Sequence, residues 1–266
     1  MEKVVLVTGS SAGIGQATAT ALAAAGWTVI GASRRGTAAE GWTSLVMDVD
    51  DDASVSEGIA TAIDRHGHLD ALVTCAGWGL AGPFEQTPIS DAKAQVETNF
   101  WGSVRAVQAA LPAMRANGSG RVVLVSSIGG VLGLPFQAFY SASKFALEGL
   151  GEAVAYEVEP HGIKVTVVEP GNIRTEFTDK RRVVPGHGPG ETYAKAMAKA
   201  LGVMEHDERN GVPAQDVAAV VCKVLAAKRP PRRVSVGRSS ERVGLVAKRL
   251  LPFSVFQAAA KGSLGV

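Results

Sequence analysis

Apolar residues along this chain fall into two kinds of run. KVVLV (3–7), TVIGA (28–32), SLVM (44–47), DALVTCA (70–76), RVVLVSS (121–127), KVTVVEP (164–170) and RRVSV (232–236) are short and rich in β-branched residues. Runs of this kind, bounded by Gly, Pro and polar residues, predict strands. Between them lie longer stretches with helical character: QATATALAAAG (16–26), DASVSEGIATAIDRHG (52–67), a zone over about 89–116, the stretch from Tyr140 onward, and 214–228. Asp52 or Ser54 suits the cap of the second helix, and Gly26 and Gly67 suit helix stops. Strands alternating with helices predict parallel pairing through right-handed crossovers. The first, fourth, fifth and sixth strands are nearly continuous apolar runs, as expected when helices cover both sheet faces. The expected fold class is therefore α/β: one doubly wound domain over 1–266, with a mostly parallel seven-stranded sheet and helices on both faces.

Two segments break this rhythm. Residues 176–212 are rich in Gly, Pro and charge, with one helical patch, ETYAKAMAKALGVM, that puts Met197, Leu201 and Met204 on one face. The low apolar content predicts a segment that orders poorly by itself, and long loops in compact domains are often lids. Either a lid over an apolar pocket or fixed packing of the methionines fits the pattern. The tail at 240–266 includes VGLVAKRLLPFSVFQAAA, broken by Pro252. It reads as a packed amphipathic helix plus tail, or as a substrate lid or weak membrane contact.

Composition removes several function classes. Net charge is +2, and the basic clusters KRR (180–182) and RPPRR (229–233) lack interleaved aromatics, so no nucleic-acid partner is expected. Cys75 and Cys222 are far apart and the five histidines lack metal-ligand spacing, so neither a disulfide framework nor a metal site is expected. No signal peptide and no membrane span is legible, and the expected location is the cytoplasm.

The residues that follow each strand carry the chemistry, because ligands of open parallel sheets bind at the strands' carboxyl ends. The first strand leads into TGSSAGIG (8–15), the second into Ser33-Arg34-Arg35, the third into Asp48-Val49. After the fourth comes Cys75-Ala76-Gly77-Trp78-Gly79, after the fifth Ser126-Ser127-Ile128-Gly129-Gly130, and after the sixth Pro170-Gly171-Asn172. Glycine permits close backbone approach, and a helix start offers free N–H groups to a pyrophosphate. GSSAG also fits a nucleophile elbow, but no histidine follows a later strand, and the loop lacks the Gly-Lys-Ser/Thr end of a triphosphate loop.

TGSSAGIG, Asn99 in the long helix, Ser127 thirteen residues before Tyr140, and YSASK (140–144) together resemble the short-chain dehydrogenase/reductase family over about 3–236. The look of GASRR, FYSASKFALEG and VVEPGNIRTEF is similar to its hydroxysteroid and retinol dehydrogenase branch and bacterial relatives. The resemblance implies a Rossmann domain that binds NAD(P) and moves a hydride between nicotinamide and a secondary alcohol, ketone or aldehyde. It implies Tyr140 as general acid and base, Ser127 on the substrate oxygen, Lys144 on the phenol and the nicotinamide ribose, and Asn99 holding a water that links Lys144 to solvent. A cation one helical turn from the phenol favours phenolate, so a depressed Tyr140 pKa is expected. The implied cofactor contacts are Gly9, Ser10, Ser11, Gly13, Ile14, Gly15, Asp48, Val49, Cys75, Ala76, Gly77, Tyr140, Lys144, Pro170, Gly171, Ile173 and Thr175. The family's Asn-Ala-Gly is replaced here by Cys75-Ala76-Gly77, which substitutes a weak hydrogen-bonding group for a brace.

Arg34 and Arg35 stand where an acid would meet the ribose of NAD, and after the second strand no acid follows until Glu40, so NADP(H) is expected in preference to NAD(H). Trp78 and the apolar IGGVLGLPF (128–136) point to a small apolar carbonyl or alcohol substrate, steroid-like or similar. The family's habit implies a homodimer or homotetramer through helices around 99–116 and 141–158. A non-catalytic dinucleotide sensor or scaffold, or an epimerase or isomerase, are the alternatives on the same fold.

Overall fold

The computed structural model describes residues 2–37, 40–184 and 193–263. Seven parallel strands form the central sheet: β1 (Val4–Thr8), β2 (Thr28–Ser33), β3 (Thr43–Val46), β4 (Ala71–Thr74), β5 (Gly120–Val125), β6 (Ile163–Pro170) and β7 (Arg233–Val236). Their order is β7-β6-β5-β4-β1-β2-β3. The order reverses direction between β1 and β4, so the crevice above that pair is the place for a ligand. The helices are α1 (Gly13–Ala24), α2 (Asp52–His66), α3 (Ile89–Val96), α4 (Gly102–Ala116), α5 (Ala138–Val158), α6 (Ala194–Arg209), α7 (Ala214–Ala226), α8 (Ser239–Leu250) and α9 (Phe253–Ser263).

Alternation within the apolar strands feeds two cores. Val4 and Leu6 face one layer, with Val55 and Ile59 of α2, Met114 of α4 and Val158 of α5. Val5 and Val7 face the other, with Leu22 of α1 and Val217 and Val221 of α7. A strand apolar on both faces has no polar side to expose, which is why these runs lack period-two polarity.

Several local expectations are corrected. The cap of α2 is Asp51, whose carboxylate accepts a hydrogen bond from Ser54 N at 2.6 Å, rather than Asp52 or Ser54. Gly67 ends that helix at φ 78°, as its sequence position suggested. The first helix starts at Gly13, whose φ of +55° is one that glycine adopts without strain, so the loop's last glycines form the helix start. The long zone 89–116 is two α-helices joined by a π-helical segment, Glu97–Trp101. The helical patch of the 176–212 segment is α6, where Met197 and Leu201 are buried against Ala81. Packing of those two residues holds α6 against the domain. Residues 185–192, part of the expected lid, lie outside the described residues.

Candidate active site

The glycine loop is built backbone on backbone. Gly9 has φ +67°, and a Cβ there would lie 2.7 Å from Ala76 N. A Cβ at Gly15 would lie 2.3 Å from Gly9 O. The Thr8 hydroxyl accepts from Cys75 N at 3.1 Å and Ala76 N at 3.2 Å, tying the β4 loop to the end of β1. No side chain caps α1, and its first turn holds no acid. The first N–H groups of a helix lack intrahelical partners, so this end suits a pyrophosphate. A dinucleotide fits these residues.

One cavity of about 1280 Å³ runs over the strand ends. Of the expected contacts, Gly9, Ser11, Gly13, Ile14, Gly15, Arg34, Arg35, Asp48, Val49, Cys75, Ala76, Gly77, Ser127, Tyr140, Lys144, Pro170, Gly171, Ile173 and Thr175 all line it. Ser10 does not: it is buried, and its hydroxyl donates to Ala32 O at 3.3 Å, bracing the loop against β2.

Asn99 also stays below the cavity surface. Its Oδ1 accepts from Trp78 N at 2.9 Å, and its Nδ2 donates to Trp78 O at 3.1 Å and Ser143 Oγ at 3.2 Å. It sits in the π-helical segment, a distortion that frequently marks functional sites. The side chain therefore clamps the Gly77-Trp78 turn, the bracing that Cys75 is too weak to give. Burial pushes the Cys75 thiol up to about 12, opposed only by nearby Lys144, so it stays protonated at neutral pH. It behaves as a small, half-buried hydrophobe at the cavity wall.

Tyr140 and Lys144 are both buried on one face of α5. Lys144 Nζ donates to Val125 O at 3.0 Å and lies 6.0 Å from the Tyr140 ring centroid. Burial brings its ammonium down to about 8. The expected depression of the Tyr140 pKa is not found. Burial raises it, a hydrogen bond with Ser127 lowers it, the Glu208 carboxylate raises it and Arg181 lowers it. The lysine's charge is spent on a carbonyl, while desolvation penalises the phenolate directly. Ser127 Oγ also accepts from Gly129 N at 3.0 Å, which fixes its position beside the phenol.

Sequence reasoning missed three sets of lining groups. Phe177 tilts against Tyr140 with centroids 5.9 Å apart. Glu208 lines the cavity from α6, joined by an ion pair to the buried Arg181. Ala247, Leu251, Phe253 and Phe256 extend it along α8 and α9. Phe177 follows the end of β6 by seven residues, past the turn that the strand-end reading covered; Glu208 is far from any strand of the central sheet, and only an apolar tail hinted at the third.

Residues 3–184 match the family model for short chain dehydrogenases. The chain belongs to that family. It is similar to the 3-ketodihydrosphingosine reductase of Bacteroides thetaiotaomicron, at 40% identity over 96% of this chain and 95% of that one. It is also similar to mouse (Mus musculus) 17-beta-hydroxysteroid dehydrogenase type 1, at 36% identity over 86% of this chain and 71% of that one. The solved structure of ElxO with NADP bound superposes with a TM-score of 0.73 at 27% identity, covering 89% of this chain and 97% of that one. The protein is thus an NAD(P)-dependent oxidoreductase acting on CH–OH or carbonyl groups. Among the described residues, no helix is long and apolar enough to cross a membrane.

Proposed function

We propose that the protein reduces a long-chain ketone with NADPH, 3-ketodihydrosphingosine being the best candidate, as one domain in the cytoplasm. The observation that carries this is convergence: Ser127, Tyr140, Lys144, the glycine loop and Arg34 line one cavity that continues between Phe177, Met204, Leu251 and Phe256. A cavity of about 1280 Å³ holds a dinucleotide and an extended apolar chain together. The relative's name supplies the substrate class.

The loop at Gly9–Gly15 and the start of α1 hold the pyrophosphate. Arg34 and Arg35, both exposed at the end of β2, take the ribose phosphate that distinguishes NADP. Asp48 and Val49 border the adenine, and Pro170, Gly171, Ile173 and Thr175 flank the nicotinamide end. The bound dinucleotide supplies the hydride. Ser127 orients the substrate carbonyl, and Tyr140 Oη gives the proton to its oxygen, or removes it from the alcohol in reverse. Burial holds the phenol in its acid form, the state from which reduction starts, and the same raised pKa weakens it as a proton donor. Lys144, near 8, restores the proton to Tyr140, and Asn99 keeps the Gly77-Trp78 turn shaped for the nicotinamide. A second copy covers the outer side of α4 and α5, where Phe145 and Tyr156 are exposed.

The test is NADPH absorbance with 3-ketodihydrosphingosine and shorter ketones. Wild type consumes NADPH. Tyr140→Phe keeps cofactor affinity and loses at least about 100-fold in turnover, the lower range for acid–base catalysis. Unchanged turnover in that variant removes the phenol from the reaction, and no consumption by wild type favours a sensor or an epimerase.

A further inference from the structure

Helix α8 is amphipathic in the wrong direction for a soluble protein. Its apolar positions Val243, Val246 and Leu250 share one face at helical spacing, and that face points outward. Their exposures are 66%, 53% and 77%. Arg242 and Arg249, two turns apart, run along one edge of this stripe, both exposed. The inward side of the helix is Leu245, which is buried, together with Gly244, Ala247 and Lys248, which line the cavity.

Helix α9 continues the pattern. Phe253 and Val255 are 66% and 51% exposed, while Phe256 and Ala260 turn toward the cavity. From Arg242 to Ser263 the chain carries Arg242, Lys248, Arg249 and Lys261 and no acidic residue. An exposed apolar band of this size marks an interaction surface. Pairing it with its own copy would bring like charges together across a two-fold axis. A bilayer with anionic headgroups neutralises the arginines and accepts the apolar side chains.

We infer that the outward faces of α8 and α9 dock the protein on an anionic lipid surface, with the cavity mouth between Leu251, Phe253 and Phe256 turned toward the bilayer. A long-chain ketone could then enter the site without crossing water. That purpose rests on the substrate class proposed above; the docking surface does not.

Co-sedimentation with vesicles, without substrate, tests it. Vesicles of phosphatidylcholine with phosphatidylglycerol should hold the wild-type protein at least about tenfold more tightly than phosphatidylcholine alone, with release at high salt. Val246→Ser/Leu250→Ser and Arg242→Glu/Arg249→Glu should each weaken binding about tenfold or more while NADP affinity, a check on folding, is kept. These four side chains do not line the cavity. The inference fails if wild type ignores both vesicles, binds both equally, or if the variants bind vesicles as wild type does. It also fails if they lose self-association in sedimentation velocity instead of lipid binding, which would give the face to a second copy. Turnover of a long-chain ketone is read separately, so loss of the substrate reading leaves this result standing.

Discussion

Tyr140, Lys144 and Glu148 repeat at one-turn intervals along α5, and all three are buried. The first two were legible because their spacing from Ser127 and from each other is a chemical pattern. Glu148 was not, since a glutamate in a helix ordinarily faces solvent. Here burial raises its carboxyl to about 7; the nearby Ser126 hydroxyl lowers it, Glu169 raises it, and Arg233 and Lys144 lower it. Arg233 Nε lies 3.1 Å from Oε2. A folded-state value near 7 against an ordinary 4.5 means the native state holds this proton more tightly. Its stabilisation is complete below pH 4.5 and is lost as pH rises through 7. Relative to Glu148→Gln, wild type should lose roughly 1–3 kcal/mol between those limits, a range discounted for partial solvent screening. Urea titrations of both proteins at the two ends of the window measure it. A difference that does not change with pH would mean Glu148 is neutral or charged throughout. Lys144 does not blur the result, because a depressed ammonium near 8 makes stability rise with pH only from there to about 10.5.

At the scale of elements, strands were read to within a residue or two because a doubly covered strand must be apolar throughout. Helix joints were harder. Nothing in ETNFW (97–101) announces a π-helical turn, since the distortion follows from where Asn99 must reach rather than from local propensity. The stretch after Thr175 was read as weakly ordered because its composition is polar. Among its described residues, a buried ion pair adds to the packing of Met197 and Leu201. Arg181, with 1% of its side chain exposed, pairs with Glu208 of α6, which also accepts from Thr178 Oγ1 at 2.7 Å. Removing one partner leaves the other charge desolvated. Glu208→Ala should therefore cost about 3–5 kcal/mol of unfolding free energy. Adding Arg181→Met in that background should restore most of it, because a matched apolar filling often replaces a buried pair without loss. If the single variant is nearly neutral, α6 is held by Met197 and Leu201 alone.

For the whole molecule, the cofactor crevice sits where the sheet's order reverses, so binding there touches both halves of the sheet at once. A ligand that binds only the folded chain stabilises it by mass action, by about 2.7 kcal/mol at a hundred times its Kd. In a chain of this size that raises Tm by roughly 5–10 °C. Matched concentrations of NADP and NAD should separate clearly in a thermal melt if Arg34 and Arg35 read the extra phosphate. Arg34 is the main contact, and losing one charge-assisted contact to phosphate costs roughly 1.5–3 kcal/mol. Arg34→Ala/Arg35→Ala should weaken NADP about 10- to 100-fold, leaving about 1.4 to 0.4 kcal/mol of the original stabilisation at the same concentration. NAD, which lacks that phosphate, should stabilise wild type and variant alike. The melt should be one transition with every ligand if the sheet and its helices unfold as one unit. If NAD raises wild-type Tm as far as NADP does, or if the double variant keeps the full NADP shift, the two arginines are ordinary exposed charges. The cofactor preference would then have to come from elsewhere in the crevice.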